Sequence, residues 1–261
     1  MTVILVRHGR SVANTSGVLA GRSPGVALDD HGQTQARDLV GRLGVCLDDI
    51  TAIARSPLQR CAETMAPLVG TLDARVRAGE SKFTGEVVVD DLAEVDYGTW
   101  TSRPIRELLN EPLWKVVQQQ PSAAVFPEGE GLADVQARAV RAIRELDRIH
   151  GGPDGSGVWV ACSHGDVIKS VIADAMGVHL DGFQRIVVDP ASISVIRYGQ
   201  TRPYVHTVNS TEVLSVPVSR PAHDDAVVGG GAGTDGRRPD GPVSDGPVSD
   251  AARAAIMAET N

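Results

Sequence analysis

Three absences narrow the field before any motif is considered. The 261-residue chain has only three cysteines, Cys46, Cys61 and Cys162, an odd number with no Cys-x-x-Cys spacing. That argues against a disulfide framework or a thiolate zinc site, and for reduced thiols packed as small hydrophobes. No stretch approaches the ~18 consecutive apolar residues of a membrane span, and the N-terminus has no basic segment followed by a signal-type apolar run. A soluble, cytoplasmic protein is the expectation. Positive charge is not in excess either: 25 Lys and Arg stand against 33 Asp and Glu, a net charge of −8 with His neutral. Nucleic acid and anionic membrane are thereby disfavoured as partners, and any anionic substrate must be caught by cations gathered locally.

What is present reads as one domain plus an appendage. From Pro217 onward the composition changes: 12 of the last 45 residues are Gly or Pro, and Asp240-Gly241-Pro242-Val243-Ser244 is followed at once by a copy, Asp245 to Ser249. Such a segment buries too little apolar surface to fold alone, so 217–261 is read as a disordered tail, an inert extension before a partner-binding one, with composition for a helical turn or two at Ala251 to Ala258. Before it, strand-like and helix-like segments alternate. Ala36, Leu39, Val40 and Leu43 have the spacing of a one-faced helix, and Leu132, Val135, Ala139, Ile143, Leu146 and Ile149 mark another. Strands are expected at 192–198 and 204–208.

The apolar run Val3 to Val6 reads as a strand buried on both faces, so Arg7-His8-Gly9 emerges at its C-terminal end, where α/β proteins commonly build sites. Val158 to Ala161 repeats the arrangement: a buried run, then Ser163-His164-Gly165, then a helix bearing Val167, Ile168, Val171, Ile172, Ala175 and Met176. The class is α/β with a mostly parallel sheet. A further helix starts near Pro57, with Ser56 as its expected N-cap and Arg60 and Thr64 one turn apart. Glu94 lies in Leu92-Ala93-Glu94-Val95-Asp96-Tyr97-Gly98-Thr99-Trp100. Taken singly, Arg60 and Glu94 read as well as a solvated face and an exposed carboxylate.

In order, these segments resemble the histidine phosphatase superfamily, the phosphoglycerate-mutase-like proteins of branch 1 type, including actinobacterial members called phosphomutases or phosphatases. The matching pieces are Leu5 to Gly9 with Ser11 and Asn14; Gly21, Leu28, Gly32 and Gln35-Ala36; Ser56-Pro57-Leu58 with Arg60 and Thr64; Leu92, Glu94, Gly98 and Trp100; Phe126-Pro127-Glu128-Gly129-Glu130; and Ser163-His164-Gly165. The resemblance covers residues 1–212 and implies a three-layer α/β/α sandwich and a metal-independent, cofactor-free phosphomonoesterase acting on a small molecule. It implies His8 as covalent nucleophile, Glu94 as proton donor, and Arg7, Asn14, Arg60 and His164 as phosphate ligands.

The residues suit those roles. Two planar guanidiniums can clamp phosphate oxygens bidentately, and beside them His8 should stay neutral and nucleophilic. Glu94 can protonate a leaving alkoxide only if its pKa is raised from the ordinary carboxylate range. Arg10 stands where relatives often carry glutamate, and Asp166 where a second glycine is usual. The stretch 70–91, with Arg75, Arg77 and Lys82, is expected as a solvated hairpin or a substrate-selecting lid. His31, His150, His179, His206 and His223 read as background, and Trp100 and Trp114 as packing residues. Rival readings are a mutase, a metal-dependent hydrolase on His8, His164 and Glu94, and a non-catalytic phosphate-binding interaction protein. The interval Pro104 to Phe126 has Arg106 and Lys115 but no adjacent arginine pair, which favours phosphatase over mutase. Guanidiniums beside His8 would repel a dication, and a mere binder needs neither His8 nor Glu94.

Overall fold

A computed structural model describes residues 1–152 and 155–214; the tail expected at 217–261 lies outside the described residues. Six strands, β1 (Thr2–Arg7), β2 (Ile50–Arg55), β3 (Glu86–Val88), β4 (Val158–Ser163), β5 (Ile193–Tyr198) and β6 (Pro203–Ser210), form one sheet in the order β3-β2-β4-β1-β5-β6. The first four in that order are parallel, while β5 and β6 are added antiparallel as a hairpin. Around the sheet run α1 (Val12–Ser16), α2 (Asp30–Arg42), α3 (Gln59–Arg77), α4 (Ile105–Leu108), α5 (Pro112–Gln119), α6 (Leu132–His150) and α7 (Gly165–Ala175).

The alternation of side chains along a strand explains the three layers. In β1, Val3 and Leu5 enter a core with α6 and α7, whereas Ile4 and Val6 enter the opposite core with α2 and α3. Each buried aliphatic chain stabilises the fold by roughly 1.5–3 kcal/mol, and a slip of one residue would exchange the two sets. Trp100 stacks on Trp114 at 6.1 Å inside the first of these cores. All three cysteines are free and buried. Arg42 ties the end of the domain down, donating to the carbonyls of Ala191, Ser210 and Glu212. Leu214 is buried in the same layer, so the packed chain extends through it. Among the described residues no helix is long and apolar enough to cross a membrane.

Three local expectations change. The stretch 70–91 is neither hairpin nor lid: α3 runs on through it to Arg77, and a short loop then leads into β3, which pairs in parallel with β2. The helix expected from Pro57 starts two residues later at Gln59, and Leu58 rather than Ser56 is its N-cap. Ile149 and Met176, counted as apolar-face residues, are 56% and 47% exposed, because they sit where their helices end.

Candidate active site

The strand register brings the decisive residues out at one end of the sheet. β1 and β4 pair Arg7 with Ser163, and β2 and β4 pair Arg55 with Cys162. His8 therefore leaves the sheet beside His164, and Ser56 beside Ser163 one residue earlier, with His8 N donating to Ser163 O and Ser56 N to Cys162 O. After β1 the chain turns to α2 on one face, and after β4 to α7 on the other. The crevice between them is the switch point at which open α/β sheets bind ligands. Close backbone approach fixes the loop after β1: a Cβ on Gly32 would lie 2.0 Å from Arg10 O.

Arg60 projects from the first turn of α3 into this crevice and is 2% exposed. Its Nε donates to His8 Nε2 at 3.2 Å, and its Nη2 to Gly21 O at 2.9 Å and His164 Nδ1 at 3.1 Å. A guanidinium can only donate, which assigns both tautomers. His8 carries its proton on Nδ1 and gives it to Gly9 O at 2.7 Å, leaving a lone pair on Nε2. His164 carries its proton on Nε2 and gives it to Ser56 Oγ at 2.7 Å. Gly9 is held in turn by Thr64, whose Oγ1 accepts from its N at 2.9 Å. The two rings lie 5.1 Å apart.

Burial holds the pKa of both imidazoles well below the ordinary 6.5, with the charge of Arg60 next in effect on each and Arg7 assisting. Arg7 is anchored by its Nη1 to Val188 O at 2.7 Å. Arg7 Nε and Arg60 Nη1 are buried donors without a hydrogen-bond partner. Two unsatisfied charged donors beside a histidine lone pair suit an anion with several oxygens.

Glu94 faces the same crevice, its Oε2 3.7 Å from His164 Nδ1 and its Oε1 accepting from Val95 N at 3.0 Å. Desolvation, followed by the charge of Asp166, pushes its pKa up to about 7 against the opposing pull of Arg60, the Val95 amide and Arg7. The carboxyl is thus poised to give and retake a proton near neutrality. Two arginines hold its backbone: Arg22 Nε donates to Glu94 O at 2.8 Å and Arg138 Nη2 at 3.2 Å, and both arginines bind Glu130. Gly98, at φ +51, lets the 126–130 loop close on this segment; a Cβ there would meet Pro127 O at 2.0 Å.

The cavity, about 210 Å³, is lined by Arg7, His8, Asn14, Arg60 and Glu94, with Tyr97, Asp166 and Lys169 at its side. Asn14 spends its Oδ1 on Ser11 N and Oγ in the capping box of α1, which leaves its amide N–H groups as donors. His164 lies behind this lining and is fully buried. His31, His150 and His179, Arg106 and Lys115 line none of the cavity.

With this geometry in place, comparison with known proteins is direct. The family model for histidine phosphatase superfamily (branch 1) matches residues 3–211. The chain belongs to that superfamily. Among relatives, a bifunctional protein of Mycobacterium tuberculosis is 30% identical over 215 residues, 81% of this chain and 54% of the relative, so the chain spans about half the length of that protein. Phosphoserine phosphatase 1 of Hydrogenobacter thermophilus is 27% identical over 80% of this chain and 92% of its own. Among solved structures, the α-ribazole phosphatase of Shigella flexneri superposes with a TM-score of 0.66 at 24% identity, covering 83% of this chain and all of the other. The histidine phosphatase fold, a three-layer sandwich with a mostly parallel sheet, is thus shared.

Ser56 was missed as a site residue because a serine before proline looks like an ordinary cap. Its signal was its place immediately after the buried strand β2, as His8 follows β1 and His164 follows β4. Tyr97 and Lys169 had no comparable signal, since their relevance comes only from contact with Asp166.

Proposed function

We propose that this histidine phosphatase superfamily member is a phosphomonoester hydrolase that works through a phosphohistidine on His8 and acts in the cytoplasm on a small phosphorylated metabolite rather than on nucleic acid. The observation that carries this reading is the neutral His8, its Nε2 lone pair fixed by the bond from Nδ1 to Gly9 O and flanked by the unpartnered donors of Arg7 and Arg60. Phosphate oxygens settle on Arg7 Nε, Arg60 Nη1 and the amide of Asn14, and Nε2 attacks phosphorus as the bond to the alcohol breaks. Glu94 delivers its proton to the departing oxygen. The Glu94 carboxylate then takes a proton from water, the water oxygen bonds to phosphorus, the N–P bond breaks, and phosphate leaves. His164 lies behind the lining, where it accepts from Arg60 and so orients that guanidinium toward the phosphate oxygens.

Hydrolysis is favoured over transfer to a second position of the substrate. Arg106 and Lys115 do not line the cavity, and Lys169, which does, is already engaged by Asp166 and Gln184. Relatives named as phosphoserine and adenosylcobalamin/α-ribazole phosphatases agree with a small metabolite. The test is to incubate the protein with a labelled phosphomonoester, quench, and map the label. Acid-labile phosphate on His8, absent from His8→Ala, is expected. Label on serine or aspartate, or turnover abolished by a chelator and restored by a divalent cation, would overturn the mechanism.

A further inference from the structure

The cavity has two chemically different parts. One is the cationic cradle around His8. The other, around Glu94, whose carboxyl feels the charge of Asp166, has apolar walls from Val18, Leu19, Ala20 and Ile105, the Lys169 ammonium, and a second carboxylate, Asp166. Asp166 is the second residue of α7, where the helix dipole favours an anion. Its Oδ2 accepts from Tyr97 OH at 2.9 Å, and Lys169 Nζ lies 3.4 Å from its Oδ1. Tyr97 is itself 5% exposed and packs edge-on against Phe126 at 4.9 Å, so the carboxylate is held in place by a rigid neighbour.

A carboxylate has about four acceptor positions, and these contacts occupy two of them. Lys169 is more fully spoken for, since its ammonium meets Asp166, Gln184 Oε1 at 3.2 Å and the Phe183 ring at 5.5 Å. Once a phosphate dianion answers the charges of Arg7 and Arg60, Asp166, with Lys169 turned to its Oδ1 and Gln184, still offers the leaving-group side open acceptor positions.

We propose that Asp166 selects the alcohol: the cavity takes a phosphomonoester whose leaving group carries an ammonium, and turns away leaving groups bearing a carboxylate or a second phosphate. This rests on the phosphomonoesterase reading above and adds to it the class of substrate. A cationic leaving group gains a charge-assisted hydrogen bond to a preorganised carboxylate, and an anionic one meets a like charge.

The test compares kcat/KM for phosphoethanolamine, ethyl phosphate and 2-phosphoglycolate, with p-nitrophenyl phosphate as a reference, in the wild type, Asp166→Asn and Asp166→Gly. The three alkyl esters need the same proton, so their ratios cancel any influence of Asp166 on Glu94. The wild type is expected to rank them in the order given, by roughly tenfold or more per step, about 1.4 kcal/mol each. Both variants should compress the three to within about threefold of one another. A flat or reversed wild-type order overturns the proposal without recourse to any variant, as does an order that survives in both variants. If p-nitrophenyl phosphate is turned over while the ratios are flat, selection by Asp166 alone is overturned. If the wild type releases phosphate from none of the four, the phosphomonoesterase reading falls and this proposal with it.

Discussion

Glu94 offers the sharpest check on the mechanism, because its two jobs fall on opposite sides of one pKa. Its rise from the ordinary 4.5 to about 7 decides how much acid is present at neutrality. At pH 7 about half of the carboxyl is protonated, against about one part in 300 for an unshifted group, a difference of about 3 kcal/mol. Above that pH the acid form declines about tenfold per unit. An alkyl phosphate, whose alkoxide cannot leave unprotonated, should lose kcat/KM at that rate. p-Nitrophenyl phosphate, whose leaving group departs as a stable anion, should not. The ratio of the two cancels the titration of the phosphate ester, with its second pKa of about 6, and that of His8, since both substrates share them. Rates measured from pH 5.5 to 9 should therefore give an alkyl-to-aryl ratio that is level in acid and falls through about pH 7. Glu94→Gln should lower kcat/KM for the alkyl ester by about 100-fold or more, while sparing much of the aryl ester's kcat/KM, which reports phosphoryl transfer to His8, and slowing only the later release. A ratio independent of pH, or a falling limb that persists in Glu94→Gln, would refute the assignment.

Three further outcomes follow from the same geometry. Ser56→Ala leaves His164 Nε2 only the weak acceptor Cys61 Sγ at 3.6 Å and should cost about 1–3 kcal/mol of stability in urea unfolding; an unchanged midpoint in the double variant Ser56→Ala/Cys61→Ala relative to Cys61→Ala would contradict the tautomer. Arg60→Lys keeps the charge but loses the fork that reaches His8, His164 and Gly21, so kcat/KM should drop about 100- to 1,000-fold, the loss of two charge-assisted bonds, and a drop under tenfold would count against the cradle. The third concerns acid stability. His8 and His164 stay neutral when folded, with pKa values well below 6.5, so below about pH 6.5 the unfolded chain binds protons that the folded chain refuses. Stability is then lost as pH falls, by about 1.4 kcal/mol per unit per ring. Glu94, protonated up to about 7 in the folded chain, works in the opposite sense between 4.5 and 7. His164→Asn should remove one ring's share of the slope in unfolding curves between about pH 6.5 and 5, and an identical slope would show that the ring is protonated when folded.

The parts legible from the chain were those set by neighbours in sequence. The apolar runs 3–6 and 158–161 announced two strands buried on both faces, and the residue after each could be read off directly. The α2, α6 and α7 periodicities gave their helices to within a few residues. Contacts between distant segments were not legible in this way. Arg22 and Glu130 are 108 positions apart, and neither betrays that together with Arg138 they secure the backbone of Glu94. The 70–91 stretch was misread for a related reason: β3 is three exposed residues, Glu86 to Val88, whose strand character comes from pairing with β2 and not from any pattern of its own. Likewise the antiparallel addition of β5 and β6 is a matter of pairing, which alternation along each strand leaves open.

The neighbouring strand ends described above divide the site by what holds it. His8, Ser56 and His164 inherit their positions from adjacent hydrogen-bonded strands, so they can be displaced only by opening the sheet itself. Glu94 rides on an irregular segment secured by two arginines and Glu130, with Arg22 side-chain exposure of 38%. Leu92, Val95 and Tyr97 pack that segment into the core, but its ion pairs include the exposed Arg22, so its electrostatic hold responds to ionic strength. The protein therefore has a durable half that captures phosphate and a separable half that manages the proton. Substitution or salt acting on the second can leave a protein that still takes phosphate from an activated ester onto His8 and then releases it slowly, turning an enzyme of two half-reactions into one that stalls between them.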